Sequence, residues 1–149
     1  MIGNLNHGLN AFYDWNILLN KEGGPNHVGN YCDAPFLFDE ERKELLQRMS
    51  ADYYWHFAHF IQPGAVRLGF SRYTDGIDVT AWENPDGRIV LILLNRGEEA
   101  VPVHIRISGK ETEIVLSAHS IVSGVEQGIY RSILIEQIFK LLNNLNSII

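Results

Sequence analysis

From residue 65 onward the chain breaks into short apolar runs separated by turn-forming residues, and no other feature limits its fold so tightly. The runs are AVRLGFSRY, GIDVTAWEN, GRIVLILLNR, AVPVHIRIS, ETEIVLS and SIVSGVE. Between them stand Asp75-Gly76, Pro85-Asp86-Gly87, Arg96-Gly97 and Ser108-Gly109. Glycine reaches positive φ without steric cost, so such pairs favour tight hairpin connections. Short strands at this spacing predict an antiparallel sandwich or a similar all-β module over residues 65–126, with Asp75-Gly76 and Asp86-Gly87 at turns.

The residues before 65 read differently. Residues 1–8 suit the last turns of a helix closed by Gly8. Leu9 to Trp15 is apolar and aromatic and predicts a buried strand. The polar stretch LNKEGGPNHVGNYCDAP follows, punctuated by Gly23, Gly24 and Pro25. A loop of that length usually carries function or is disordered. Phe36, Leu37 and Phe38 look extended, whereas 40–49 has helical composition with Leu45, Leu46 and Met49 on one side. Ser50 is placed to cap a helix running to about Ile61, with Tyr53, Tyr54, Phe57 and Phe60 on it, ended by Pro63-Gly64. At the far end Ile133, Leu134, Ile138, Leu141, Leu142 and Leu145 recur at helical spacing, which predicts a helix from Tyr130 to about Leu145.

Size and charge set outer bounds. The 149 residues suffice for an ordinary domain core. They fall well short of the roughly 250 that a closed barrel of eight strands and eight helices needs. A net charge of −6 argues against a nucleic-acid partner, which rewards clustered Lys and Arg. No basic amphipathic stretch points to a membrane surface, and runs such as Ile89 to Leu94 are far too short to span a bilayer. Cys32 is the only cysteine, so no internal disulfide forms. MIGNLNHGLN lacks the charged and apolar regions of a signal peptide, and the compartment stays open.

Three motifs in order carry a resemblance. Asn-Ala-Phe-Tyr-Asp-Trp-Asn occupies 10–16, Glu-Gly-Gly-Pro-Asn-His occupies 22–27, and Asn30-Tyr31-Cys32-Asp33-Ala34-Pro35 follows. With Tyr53-Tyr54, His56-Phe57, His59-Phe60, Pro63-Gly64-Ala65, Asn84-Pro85-Asp86-Gly87 and Leu93-Leu94-Asn95-Arg96, the chain resembles glycoside hydrolase family 30 over roughly residues 1–126. That family contains glucosylceramidases and β-1,6-glucanases. The resemblance implies a mixed fold: the last strand and helix of a TIM-type β/α barrel, then an antiparallel β-sandwich domain, with a C-terminal helix added. Residues 1–62 would be the barrel remnant, 63–127 the sandwich and 128–149 a helical tail outside the family pattern. It also implies a hairpin-like excursion over 36–47, against the local helical composition.

The implied chemistry is retaining hydrolysis, in which one carboxylate attacks the sugar and a second, about 5 Å away, protonates the leaving oxygen. In the family both are glutamates on earlier barrel strands. This chain is therefore expected to hold no catalytic residue, and its reading frame to be truncated or broken. Glu22 is a loop glutamate. Asp14 points to the opposite side from Trp15, because neighbours on an extended strand alternate. The resemblance implies two substrate-binding candidates. Trp15 matches a position lining the sugar subsite, its indole offering a broad apolar face, against the alternative of a buried core Trp. Asn30 matches a loop asparagine near that subsite, its amide able to bond a hydroxyl, against the alternative of turn chemistry beside Gly29. Trp15 also sits at the end of a barrel strand, where such folds keep their sites.

The other candidates have plainer readings. His27, after the Gly-Gly-Pro turn, is a surface loop histidine in the plainer reading and a residue bordering the cleft in the other. His56 and His59 are helix residues whose spacing suits a metal, but no third ligand is apparent and no metal or cofactor is expected. Cys32 serves as a small hydrophobe. Trp82, Tyr73 and Phe70 would make either a carbohydrate-binding stripe or packing surface. The reading as a whole is a glycosidase fragment, with a β-linked sugar as the parent enzyme's substrate, neither nucleic acid nor membrane span, and no turnover by the chain alone. The alternative is a non-catalytic sandwich module that binds carbohydrate or a protein partner. Because the family sandwich borrows strands from before the barrel, an open sheet edge and an apolar face are expected here. The tail would cover that face or pair with a second copy as a homo-oligomer.

Overall fold

A computed structural model describes residues 1–25 and 27–125, and the backbone of 128–131. The chain opens with helix α1 (Ile2–Asn6). Gly8 N–H donates to the Leu5 carbonyl and Leu9 N–H to the Asn4 carbonyl, the paired bonds that close a helix through a C-terminal glycine. Strands β1 (Leu18–Asn20), β2 (Phe36–Asp39) and β3 (Glu44–Gln47) form one small sheet. β1 pairs β2 in parallel and β2 pairs β3 antiparallel, with Leu37 opposite Leu46. Leu19, Ala34 and Leu37 are its buried centre, with Cys32 and Leu46 packed against them. Residues 36–47 are thus a hairpin and not the helix their composition allows.

Helix α2 (Met49–Phe60) follows at once. Its N-cap is Arg48 and not Ser50, which lies inside the first turn. β3 runs to Gln47, and Arg48 N–H is held by the Pro35 carbonyl, so the helix starts before Ser50 is reached. A second expectation also fails. Leu9 to Trp15 is irregular and mostly exposed. A strand needs a neighbour for its backbone N–H and C=O groups, and none of the described strands pairs with this segment.

The rest is β-structure: β4 (Val66–Arg67), β5 (Ile77–Glu83), β6 (Ile89–Asn95), β7 (Val101–Ile107), β8 (Lys110–Leu116), β9 (Ser120–Val125) and β10 (Gly128–Arg131). They form a five-stranded sheet, β10-β9-β6-β5-β4, and a two-stranded sheet, β7-β8. All their pairings are antiparallel. Asn84 to Arg88 closes the β5–β6 hairpin, with Gly87 N–H on the Asn84 carbonyl. Ser108 and Gly109 both have positive φ and turn β7 into β8 in two residues. Asp75-Gly76 does not close a tight hairpin. It lies in an irregular stretch between β4 and β5, where Arg72 holds Asp75 and Asp78. Tyr130 and Arg131, expected to begin a helix, belong to β10, whose Tyr130 pairs with Ser123. The remainder of the expected helix and the covering or dimerising role given to it lie outside the described residues.

The larger sheet is buried on both faces. One side carries Ile77, Leu93 and Val122, which meet Ile114 and Leu116 of β8 to form the sandwich core. The other carries Val90 and Ile92, which pack with Phe57 and Phe60 of α2 and Ile2 of α1. Each such side chain contributes about 1.5–3 kcal/mol when fully buried. This second core fixes the barrel-end helices against the sandwich. Asn6 Nδ2 adds a 2.7 Å bond to the Val79 carbonyl. Beside β7 the two sheets part to leave an open cleft of about 810 Å³, lined by Phe70, Val79, Leu91, Val103 and Ile105 among others. Among the described residues no helix is long and apolar enough to cross a membrane.

Candidate functional site

The segment around Trp15 is not held by a sheet; it is held by one side chain of α2. Tyr54 O–H donates to Asp14 Oδ2 at 2.5 Å. The other carboxylate oxygen, Asp14 Oδ1, accepts the Trp15 backbone N–H at 2.8 Å. The Tyr54 ring also packs on Phe12, ring centres 5.8 Å apart. Phe12 and Asp14 therefore face α2, and the alternate residues Tyr13 and Trp15 are left 91% and 78% exposed. The Tyr54 and Trp15 hydrogen bonds hold the Asp14 carboxyl below its ordinary 3.8. The same bond to Asp14 drives the Tyr54 phenol up to about 12. At neutral pH the pair is a carboxylate accepting from a neutral phenol, a charge-assisted hydrogen bond.

Under this segment lies a pocket of about 640 Å³. Phe12, Asp14, Asn16 and Ile17 form one wall, and Tyr54 and Ala58 of α2, Ile61 at its C-cap and Trp82 form another. Trp15 and Asn30 are not among its lining residues, so the two predicted sugar contacts lie outside this open pocket. Asn30 sits exposed in the long loop. That loop is pinned at its base: Asn20 Oδ1 accepts Gly24 N–H at 2.7 Å, and Cys32 N–H donates to the Gly23 carbonyl at 3.1 Å. Glu22 lies exposed at the turn beside Gly23.

The remaining candidates fall into structural places. His56 is buried against Ser123 of β9, with Nδ1 and Oγ 2.7 Å apart. His59 stacks on Trp55, ring centres 4.7 Å apart. The two histidines thus serve different faces of α2. His27 is exposed. Cys32 is half-buried against the small core, its Sγ 3.7 Å from the Asn30 carbonyl. The aromatics of the sandwich make no stripe. Trp82 packs on the helix-facing core and donates to Thr80 Oγ1, whereas Phe70 and Tyr73 border the cleft on the opposite face. Tyr54 is the residue that sequence reasoning passed over. The signal for it was spacing: Tyr54 and Ala58 share one face of α2, and both line the pocket with Ile61 at the helix C-cap.

Helices docked on one face of an antiparallel sandwich, beside an exposed aromatic and a pinned loop, define a helix-backed β-sandwich as the class. Two family models match in succession: the glycosyl hydrolase family 30 TIM-barrel domain over residues 1–62 and the family 30 beta-sandwich domain over residues 64–124. The chain belongs to glycosyl hydrolase family 30 and corresponds to the end of its barrel and its sandwich. Mouse lysosomal acid glucosylceramidase is 36% identical over 107 residues, covering 70% of this chain and 21% of that protein. The solved structure of SrfJ from Salmonella typhimurium has a TM-score of 0.79 at 34% identity, over 89% of this chain and 29% of that one. An endo-β1,6-glucanase structure gives a TM-score of 0.75 at 25% identity, over 82% and 28%. The chain thus spans about a fifth of the length of the curated relatives it matches.

Proposed function

We propose that the chain supplies a sugar-facing wall and the sandwich of a retaining β-glycosidase acting on a β-linked glucoside such as glucosylceramide or a β-1,6-glucan. The observation that carries this reading is the pinning of Asp14 to α2, which leaves the Trp15 indole open to solvent. An open indole is a platform for the apolar face of a sugar. Asn30 then bonds a sugar hydroxyl from the loop. Asp14 has both oxygens engaged and Glu22 stands alone on a turn, so neither is given a catalytic role. The reading places the carboxylate pair that retention needs on parts of the enzyme beyond these residues.

The test is turnover of an aryl β-glucoside by the homogeneous purified chain. No hydrolysis above the buffer rate is expected. Clear turnover that disappears on changing Glu22 or Asp14 would overturn the assignment.

A further inference from the structure

We infer that Tyr54 is the positioning residue for Trp15: by donating to Asp14, which in turn accepts the Trp15 backbone N–H, it sets the direction of the indole. The inference rests on the reading of Trp15 as a sugar platform. Its own support is geometric. Residues 10–16 have no strand partner among the described residues, the ladder beginning only where the Ile17 carbonyl accepts Phe36 N–H, so the backbone around Trp15 lacks the pairing that ordinarily aims a strand side chain. What replaces it is a relay of two hydrogen bonds, Tyr54 Oη to Asp14 Oδ2 at 2.5 Å and Trp15 N to Asp14 Oδ1 at 2.8 Å. The Phe12–Tyr54 ring contact adds a second point on the same side. Two fixed points two residues apart, Phe12 and Asp14, constrain the residues between and beyond them, and those residues, Tyr13 and Trp15, are the exposed aromatics. Tyr54 is itself well anchored. It stands on α2 between Tyr53, whose ring contacts Phe57, and the buried Phe57. The aim of Trp15 is therefore inherited from the helix–sheet core.

The experiment is nuclear magnetic resonance on the whole 15N-labelled chain at neutral pH, comparing wild type with Tyr54→Phe, Asp14→Asn and the double variant. Tyr54→Phe keeps the ring on Phe12 and removes only the hydroxyl. Its expected result is an upfield shift of the Trp15 backbone amide, with hydrogen-exchange protection lowered about tenfold, as for loss of one charge-assisted bond. The Trp15 indole resonance should sharpen to loop-like mobility while the Trp82 indole stays unchanged. The double variant should be no worse than Asp14→Asn alone, because the relay is already broken. A merely structural role for Tyr54 would lower the urea midpoint and leave the Trp15 signals in place; that outcome, in a folded variant, overturns the inference. Adding methyl β-glucoside separates the two readings. If the wild-type Trp15 indole ignores the glucoside while the relay variants behave as expected, the sugar-platform reading fails and the relay stands.

Discussion

His56 on α2 and Ser123 on β9 share a 2.7 Å hydrogen bond in which both residues are fully buried. It is a polar link between α2 and an inner strand of the sandwich sheet. The other ring nitrogen, Nε2, is buried without a hydrogen-bond partner among the described residues. The neutral ring tolerates this by carrying its proton on Nδ1; a protonated ring would bury an N–H with nothing to receive it.

Acid should therefore loosen the joint before it reaches the carboxylates. Burial pushes the His56 imidazole down from 6.5 to about 4. Between those values the unfolded chain binds a proton that the folded chain refuses, so stability falls as pH drops through that window and this contribution levels off below about 4. The shift corresponds to about 3 kcal/mol at its full extent. Asp14, Asp39 and Asp86 are held below 3.8 by hydrogen bonds, so their stabilising contributions are lost at lower pH than most of this window. Urea midpoints at about pH 7 and about pH 4.5 should differ for the wild type. His56→Asn keeps a hydrogen-bonding atom near the Nδ1 position and cannot titrate, so its slope over the same interval should flatten. An equal slope in wild type and variant would refute the assignment to His56.

Gly23 should tolerate no side chain. It is buried with φ +89, and a Cβ built there meets the Cys32 carbonyl oxygen at 2.3 Å. The close approach is what lets Cys32 N–H reach the Gly23 carbonyl and tie off the loop that carries Asn30. Gly23→Ala is expected to cost on the order of 2 kcal/mol through strain and the lost bond. Limited proteolysis should then cut between residues 24 and 31 much faster than in the wild type, while far-UV circular dichroism of the sandwich is unchanged. Unaltered protection of the loop would show that the contact is easily relaxed.

How much of this was visible in the sequence depends on how local each determinant is. The β5–β6 and β7–β8 hairpins were legible because Asn84-Pro85-Asp86-Gly87 and Ser108-Gly109 fix their turns within four residues. The β2–β3 hairpin was not legible locally: Leu45, Leu46 and Met49 suit a helix equally well, and only the family likeness pointed to strands. Pairing with β2 decides it, through Leu37 opposite Leu46. Leu9 to Trp15 misled for the converse reason, since an apolar run reads as a buried strand but does not supply the neighbour that would pair and bury it, and here the segment is exposed. Trp15 and Asn30 came from motifs. Tyr54 stood in the Tyr53-Tyr54 pair of the family likeness, but its role was hidden, because its bond to Asp14 joins residues 40 positions apart.

Asn84 offers the sharpest test of how the two domains are joined. Its side chain is buried and bonds the end of α2 at two points, donating from Nδ2 to the Phe60 carbonyl at 2.9 Å and accepting Gln62 N–H on Oδ1 at 3.0 Å. A helix end leaves its last carbonyls in search of donors, and here a residue of the β5–β6 turn supplies one. Asn84→Ala removes both bonds from a dry site and is expected to destabilise the chain by about 2–3 kcal/mol. Asn84→Asp should be no rescue: it keeps the acceptor for Gln62 but presents an oxygen to the Phe60 carbonyl. Tyr73→Ser, at a fully exposed position, should stay within about 0.5 kcal/mol and serves as the reference. Chemical denaturation of the three variants checks this. If Asn84→Ala unfolds with the wild-type midpoint, the amide does not join helix to sandwich, and the packing of Phe57 and Phe60 on Val90 and Ile92 must do so unaided.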